Sequence, residues 1–137
     1  MSYLLDTNFI SEAFKPRPDR QIIDWMRTSN QTDQFLSVMT FGELRRGAEL
    51  LEAGKRRRLL EIWIETELTD YFEDRILSID REVAEQFGRL GAESRRKGWG
   101  LEAVDALIAA TAQVHSLTLA TLNRKHFEKL GLKLLSL

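Results

Sequence analysis

The sequence predicts an α/β protein: a three-layer α/β/α sandwich with a parallel sheet of four to five strands. Three observations carry this. Five short apolar runs, at residues 3–5, 35–38, 76–79, 117–120 and 132–135, are spread along the chain. Longer stretches with helical spacing lie between them, and strands that alternate with helices pair in parallel. The runs are continuous rather than alternating, as in strands covered on both faces.

Taken in order, Tyr3, Leu4 and Leu5 form the first strand, and Asp6, Thr7 and Asn8 follow at once before Phe9 and Ile10 start a new apolar pattern. Both prolines, Pro16 and Pro18, fall in "KPRPD", which reads as a loop or helix break. "RQIIDWMR" has helical spacing and precedes the second strand at 35–38. "FGELRRGAELLEAG" follows, with Leu44, Ala48 and Leu51 on one side. "RRLLEIWIETELTDYF" gathers Leu60, Trp63, Ile64 and Leu68. After the run at 76–79, "REVAEQFGRLGAESRR" gathers Val83, Phe87 and Leu90. "LEAVDALIAATAQVH" gathers Val104, Leu107, Ile108 and Thr111 ahead of the strand at 117–120.

The 137 residues fit one domain, 1–137, with a core large enough to need no staples. Apolar residues make up 43% and charged residues 30%, an ordinary globular balance. Without cysteine, disulfides and thiolate zinc sites are excluded, and a reducing cytoplasm is the expected location. No signal peptide or membrane span is expected, since no apolar run nears the ~20 residues a span requires. The net charge of −1 hides clustering: "RRGAELLEAGKRRR" carries six basic and two acidic side chains, and "RLGAESRRK" four and one. Clustered basic groups allow nucleic-acid binding without a basic chain. The same runs also read as solvated helix faces.

In a parallel sheet, ligands bind beyond the carboxyl ends of the strands. Asp6 stands at such an end. Thr40 and Glu43 follow the second strand, Thr121 and Asn123 follow the fourth, and Asp105 lies early in its helix. Carboxylates brought together repel unless a cation sits among them. Mg²⁺ suits such a set, since it takes a few carboxylates, keeps waters and meets phosphates. Glu102 adds negative potential near Asp105. Each residue also has a structural reading. Asp6 can cap the helix near Phe9, Thr40 and Glu43 form a T-x-x-E capping box, and Asp105 can face the helix dipole. Asp80 is assigned to capping. His115 and His126 lack zinc spacing, and no G-x-S-x-G supports a serine hydrolase.

"YLLDTNFISE", "SVMTFGELRRG" and "VDALIAATAQVHSLTLATLNRKHF", in that order, resemble the successive motifs of PIN-domain ribonucleases, and most closely the VapC-type toxins of toxin–antitoxin pairs. The resemblance runs from Met1 to about Phe127. It implies a Mg²⁺- or Mn²⁺-dependent endoribonuclease toxin, with RNA as substrate, a cognate antitoxin as partner and a homodimer as assembly. Carried over by position, the catalytic and metal-ligating residues are Asp6, Glu43 and Asp105. Thr7 and Asn8 would orient Asp6 and ligand water, with Thr40, Thr121 and Asn123 also in the supporting layer. Arg45, Arg46, Arg56, Arg57, Arg58, Arg95 and Arg96, with Lys55 and Lys97, are candidates for phosphate contacts.

The match departs from the family in its last motif. An acid is usual where Asn123 or His126 stands, and "TLNRKHF" has neither. The acidic ligand expected for a second metal ion is therefore missing. The alternative is a degenerate PIN domain that binds RNA or a partner protein without cutting. A haloacid-dehalogenase-type phosphatase is rejected, because Asn8 occupies the place of its second aspartate.

Overall fold

The first apolar run becomes β1, Tyr3–Leu5, and lies inside the sheet with a neighbour on each side. The structure, a computed structural model, describes all residues 1–137. β2 is Gln34–Ser37, β3 is Ile76–Leu77 and β4 is Thr118–Ala120. The order is β3-β2-β1-β4, and every pairing is parallel. Tyr3 pairs with Gln34 on one side and Thr118 on the other. The chain therefore steps outward from β1 through β2 to β3, then returns to lay β4 on the opposite edge of β1. Open parallel sheets bind ligands beyond the carboxyl ends where this reversal occurs. Here that place lies at Asp6 and Thr121.

The run at 132–135 forms no full strand. It gives one isolated parallel bridge, Leu119 to Leu134. The Leu119 N–H donates to the Lys133 carbonyl and the Leu135 N–H to the Leu119 carbonyl, both at 2.9 Å. The sheet thus has four strands.

α1, Thr7–Ile10, is a single turn that passes into a 3₁₀ turn at Ser11–Phe14. α2 is Arg20–Thr28, and α3 is Val38–Leu50. α4, Lys55–Ile62, runs through a π-type stretch at Trp63–Leu68 into α5, Thr69–Phe72. α6 is Arg81–Lys97, α7 is Ala103–Val114 and α8 is Arg124–Phe127. No helix is long and apolar enough to cross a membrane.

Successive side chains of a strand point to opposite faces, and this chain uses both. Leu5, Leu36 and Ala120 pack with Phe9, Ile22, Leu44, Trp63 and Phe72. Leu4 and Leu119 pack with Val83, Leu90, Ile108 and Phe127. Each buried Leu or Phe contributes about 1.5–3 kcal/mol, so the two layers hold β1 and the residue at its end firmly.

Helix starts show where local reading succeeds and fails. Asp80 caps α6 as expected, accepting from the Val83 N–H at 3.0 Å. The capping box at Thr40 and Glu43 does not form. β2 stops one residue early, and the Ser37 hydroxyl accepts from the Met39 N–H at 3.1 Å and caps α3. Thr40 already lies inside the helix, so the side chains of Thr40 and Glu43 are free for other partners.

Candidate active site

Asp6 is held at the carboxyl end of β1 by its backbone and both carboxylate oxygens. Its N–H donates to the Ala120 carbonyl at 2.9 Å, extending the contact with β4 by one residue. Oδ1 accepts from the Thr7 N–H at 2.8 Å, and Oδ2 accepts from the Thr121 hydroxyl at 2.8 Å. Asp6 does cap α1. That role occupies one oxygen and leaves the local charge unbalanced. Asp6 is only 5% exposed, and its carboxyl is held above the usual aspartate range. Burial is the main cause, the hydrogen bonds from Thr121 and Thr7 oppose it, and the charges of Glu43 and Asp105 raise it further.

Glu43, half-buried on α3, reaches back to α1. It accepts from the Thr7 hydroxyl at 2.5 Å, while the Thr7 and Thr40 hydroxyls are 3.3 Å apart. A threonine has one hydroxyl proton and a carboxylate can only accept. The proton of Thr7 therefore serves Glu43, and Thr40 donates to Thr7. Glu43 and Thr7 line a cavity of about 320 Å³ together with Ser11 and Arg56.

Asp105 sits in the first turn of α7, and its Oδ2 lies 3.1 Å from His126 Nδ1. His126 thus occupies the space where the sequence motif leads one to seek an acid, and it meets a carboxylate there. Asp105, Glu102 and His126 line a second cavity of about 180 Å³. Asp6 lines neither cavity, but its charge is coupled to an acid on the rim of each.

The supporting residues divide differently from expectation. Thr7 contributes its N–H to Asp6 and its hydroxyl to Glu43. The Asn8 side chain makes no hydrogen bond to Asp6. Its Oδ1 accepts from the Leu122 N–H at 3.1 Å and faces the Thr121 hydroxyl at 3.4 Å, which clamps the loop after β4. Thr121, rather than Asn8, is the side chain on Asp6. Asn123 contributes its N–H to the Thr121 hydroxyl at 3.0 Å.

No three His, Asp or Glu side chains form a ready metal cage. Asp6 nonetheless feels the charges of Glu43 and Asp105, so three hard oxygen donors lie within one another's field. Their oxygen chemistry is of the kind that a hard divalent ion such as Mg²⁺ takes, since it binds a few carboxylates and keeps several waters.

The basic candidates separate into paired and unpaired groups. Arg45 meets Glu65 at 2.8 Å and Glu61 at 3.4 Å, and Arg57 meets Glu49 at 2.8 Å. Arg46, Arg56, Arg58, Arg95 and Arg96 form no ion pair. Sequence reasoning overlooked Trp99, Lys125 and Lys129, which line the cavity beside Asp105. A tryptophan between two glycines, "GWG", was the available signal.

A family model described as PIN domain matches residues 3–133. Toxin FitB of Neisseria gonorrhoeae is 39% identical over 118 residues, covering 86% of this chain and 85% of the relative. VapC ribonuclease Y4jK of Sinorhizobium fredii is 34% identical over 133 residues, covering 97% and 95%. The crystal structure of FitAcB from Neisseria gonorrhoeae superposes with a TM-score of 0.90 at 35% identity, covering 98% of this chain and 96% of that one.

Proposed function

The chain belongs to the PIN-domain family, among its VapC-type toxin ribonucleases, and from that premise we propose that it is a divalent-metal-dependent endoribonuclease working at Asp6, Glu43 and Asp105. It is the toxin of a toxin–antitoxin pair, as the similarity to toxin FitB and to VapC ribonuclease Y4jK supports. Its partners in this reading are a cognate antitoxin, the RNA substrate and a second copy of the chain, with the cytoplasm as its location.

One observation carries the metal reading. Asp6 is buried at the switch point of the sheet, and its nearest charged neighbours in effect are two more acids. A buried charge facing like charges is costly unless a cation joins it. Bound Mg²⁺ or Mn²⁺ would supply an activated water and neutralise charge on a phosphodiester. The chain's own residues supply the aim. Thr121 and the Thr7 N–H fix both oxygens of Asp6. The Thr40–Thr7 hydroxyl pair fixes Glu43. His126 holds one oxygen of Asp105 and leaves the other available. Arg46, Arg56 and Arg58, free of ion pairs, are the better candidates for RNA phosphates than Arg45 or Arg57.

The contact between His126 and Asp105 favours a second reading, in which the domain binds RNA without cutting because a ligand is occupied. Cleavage of total RNA by purified protein, with Mg²⁺ and with chelator, decides between them. Cuts that require the metal and disappear in Asp6→Asn support the enzyme. Binding without cuts supports the second reading.

A further inference from the structure

The cavity beside Asp105 is more elaborate than a metal site needs. Trp99 lies on the turn between α6 and α7, flanked by Gly98 and Gly100 with φ of 66° and 65°, a left-handed backbone that favours glycine. The Trp99 N–H donates to the Ser94 carbonyl at 2.9 Å. The buried Ser94 hydroxyl accepts from the Leu101 N–H at 3.0 Å. The turn is therefore fixed on both sides of the indole. The ring is half-buried and lines the cavity, with Lys97 Nζ 5.1 Å from a ring centroid. Exposed Lys125, His126 and Lys129 line the same cavity, with Glu102 and Asp105 beside them.

The geometry points to a nucleotide subsite, in which Trp99 stacks an unpaired base of the RNA and Lys125 and Lys129 hold an adjacent phosphate. This rests on the nuclease reading above and deepens it. Unpaired bases stack on aromatic rings, and basic groups beside such rings follow the backbone. A cavity of about 150 Å³ admits benzene, so this cavity of about 180 Å³ has room for one flat ring. Single-stranded RNA matches the indole and both lysines together. A basic side chain of an antitoxin would match only Glu102 and Asp105.

The test uses the full chain and short single-stranded RNA oligomers, with affinity measured in metal-free buffer and KM and kcat measured with Mg²⁺. Trp99→Ala should weaken RNA affinity and raise KM about tenfold, in the range expected for one lost stack, with kcat at saturating RNA within about twofold of wild type. Trp99→Phe should restore affinity and Trp99→Leu should not, which separates stacking from packing even if the alanine variant folds poorly. Lys125→Ala with Lys129→Ala should flatten the salt dependence by up to about two contacts. The subsite is overturned if wild type cuts RNA and Trp99→Ala keeps the wild-type KM and affinity. It is also overturned if Leu serves as well as Phe, or if only affinity for the cognate antitoxin falls. If wild type neither binds nor cuts RNA, the nuclease reading fails first and the subsite falls with it.

Discussion

Asp6 and Glu12 are each only 5% exposed, but Asp6 lies deep in the protein and Glu12 just beneath its surface, and their surroundings push in opposite directions. Glu12 meets the Lys15 ammonium and accepts from the Asp19 N–H at 3.0 Å. These contacts, with Lys15 first, hold its carboxyl below the usual glutamate range. They also fasten the two ends of the proline loop. Asp6 has hydrogen bonds too, but burial and two acids outweigh them and raise it. Low solvent exposure alone therefore does not mark a site. One carboxylate is placed with its counter-charge and serves the fold. The other is placed where the charges of Glu43 and Asp105 add to its burial.

The largest expected effect breaks the comparison directly. Asp6→Asn should cut RNA cleavage by about a hundredfold or more, because it removes a charge that the metal and its water need. Its metal-free melting temperature should hold or rise. Glu12→Gln should do the reverse, keeping cleavage within about threefold and lowering melting by the few degrees that about 1 kcal/mol represents. Cleavage rates and melting curves on both variants check this. Equal losses of activity would erase the distinction.

Mg²⁺ provides the next test. An ion that binds only the folded state adds about 2.7 kcal/mol at a hundred times its Kd. Wild-type melting should then rise by several degrees in saturating Mg²⁺. Asp6→Asn and Asp105→Asn should each shrink the rise, and Glu12→Gln should leave it intact. Glu43→Gln sharpens the same point. The amide oxygen can still accept from Thr7, so stability should change by less than about 1 kcal/mol. Cleavage should nevertheless fall about tenfold or more, because the charge is gone. Wild-type cleavage by this variant would reduce the site to Asp6 and Asp105.

The pH dependence separates the two carboxylates by sign. A raised folded-state value for Asp6 means that its unfavourable contribution is present above that value and disappears as pH falls to the ordinary aspartate range. A lowered value for Glu12 means that its stabilisation is present above the ordinary glutamate range and is lost as pH falls through the folded-state value. Melting without metal, followed from neutral to acid, should show Asp6→Asn gaining most over wild type near neutrality. The deficit of Glu12→Gln should narrow toward acid. Parallel profiles for both variants would refute the opposed shifts.

Much of this was legible in advance because the signals are local. Continuous apolar runs marked β1, β2 and β4 to within a residue or two, since a strand buried on both faces leaves no room for polar alternation. The acids after β1 and β2 and early in α7 follow from sheet topology. Three features stand out among those that were not legible. Residues 132–135 look like the other runs but reach only a single bridge, because pairing depends on a partner edge. Arg45 and Arg57 read as free charge, yet their glutamates come from other turns and helices. Asn8 read as a partner of Asp6, although its partners, Thr121 and Leu122, are more than a hundred residues away in sequence. Local spacing cannot show such contacts.

The smallest effect concerns how α3 begins, where the sequence offered Thr40 and the structure uses Ser37. An N-cap serine satisfies a backbone N–H that has no partner inside the helix, and its loss costs about 1 kcal/mol. Ser37→Ala should therefore lower stability by about that much and leave Glu43 in place. Thr40→Val keeps the buried volume and removes only the hydroxyl that steadies Thr7 at 3.3 Å. The shape is kept, and the lost bond is long and has one neutral partner on each side. The stability change should stay within about 0.5 kcal/mol. Cleavage should fall about twofold or less, because Thr7 still donates to Glu43. Chemical denaturation and cleavage rates on the two variants check this. If Thr40→Val destabilised more than Ser37→Ala, the helix would begin where the T-x-x-E pattern places it, and Glu43 would belong with Glu12 among the residues that serve the fold.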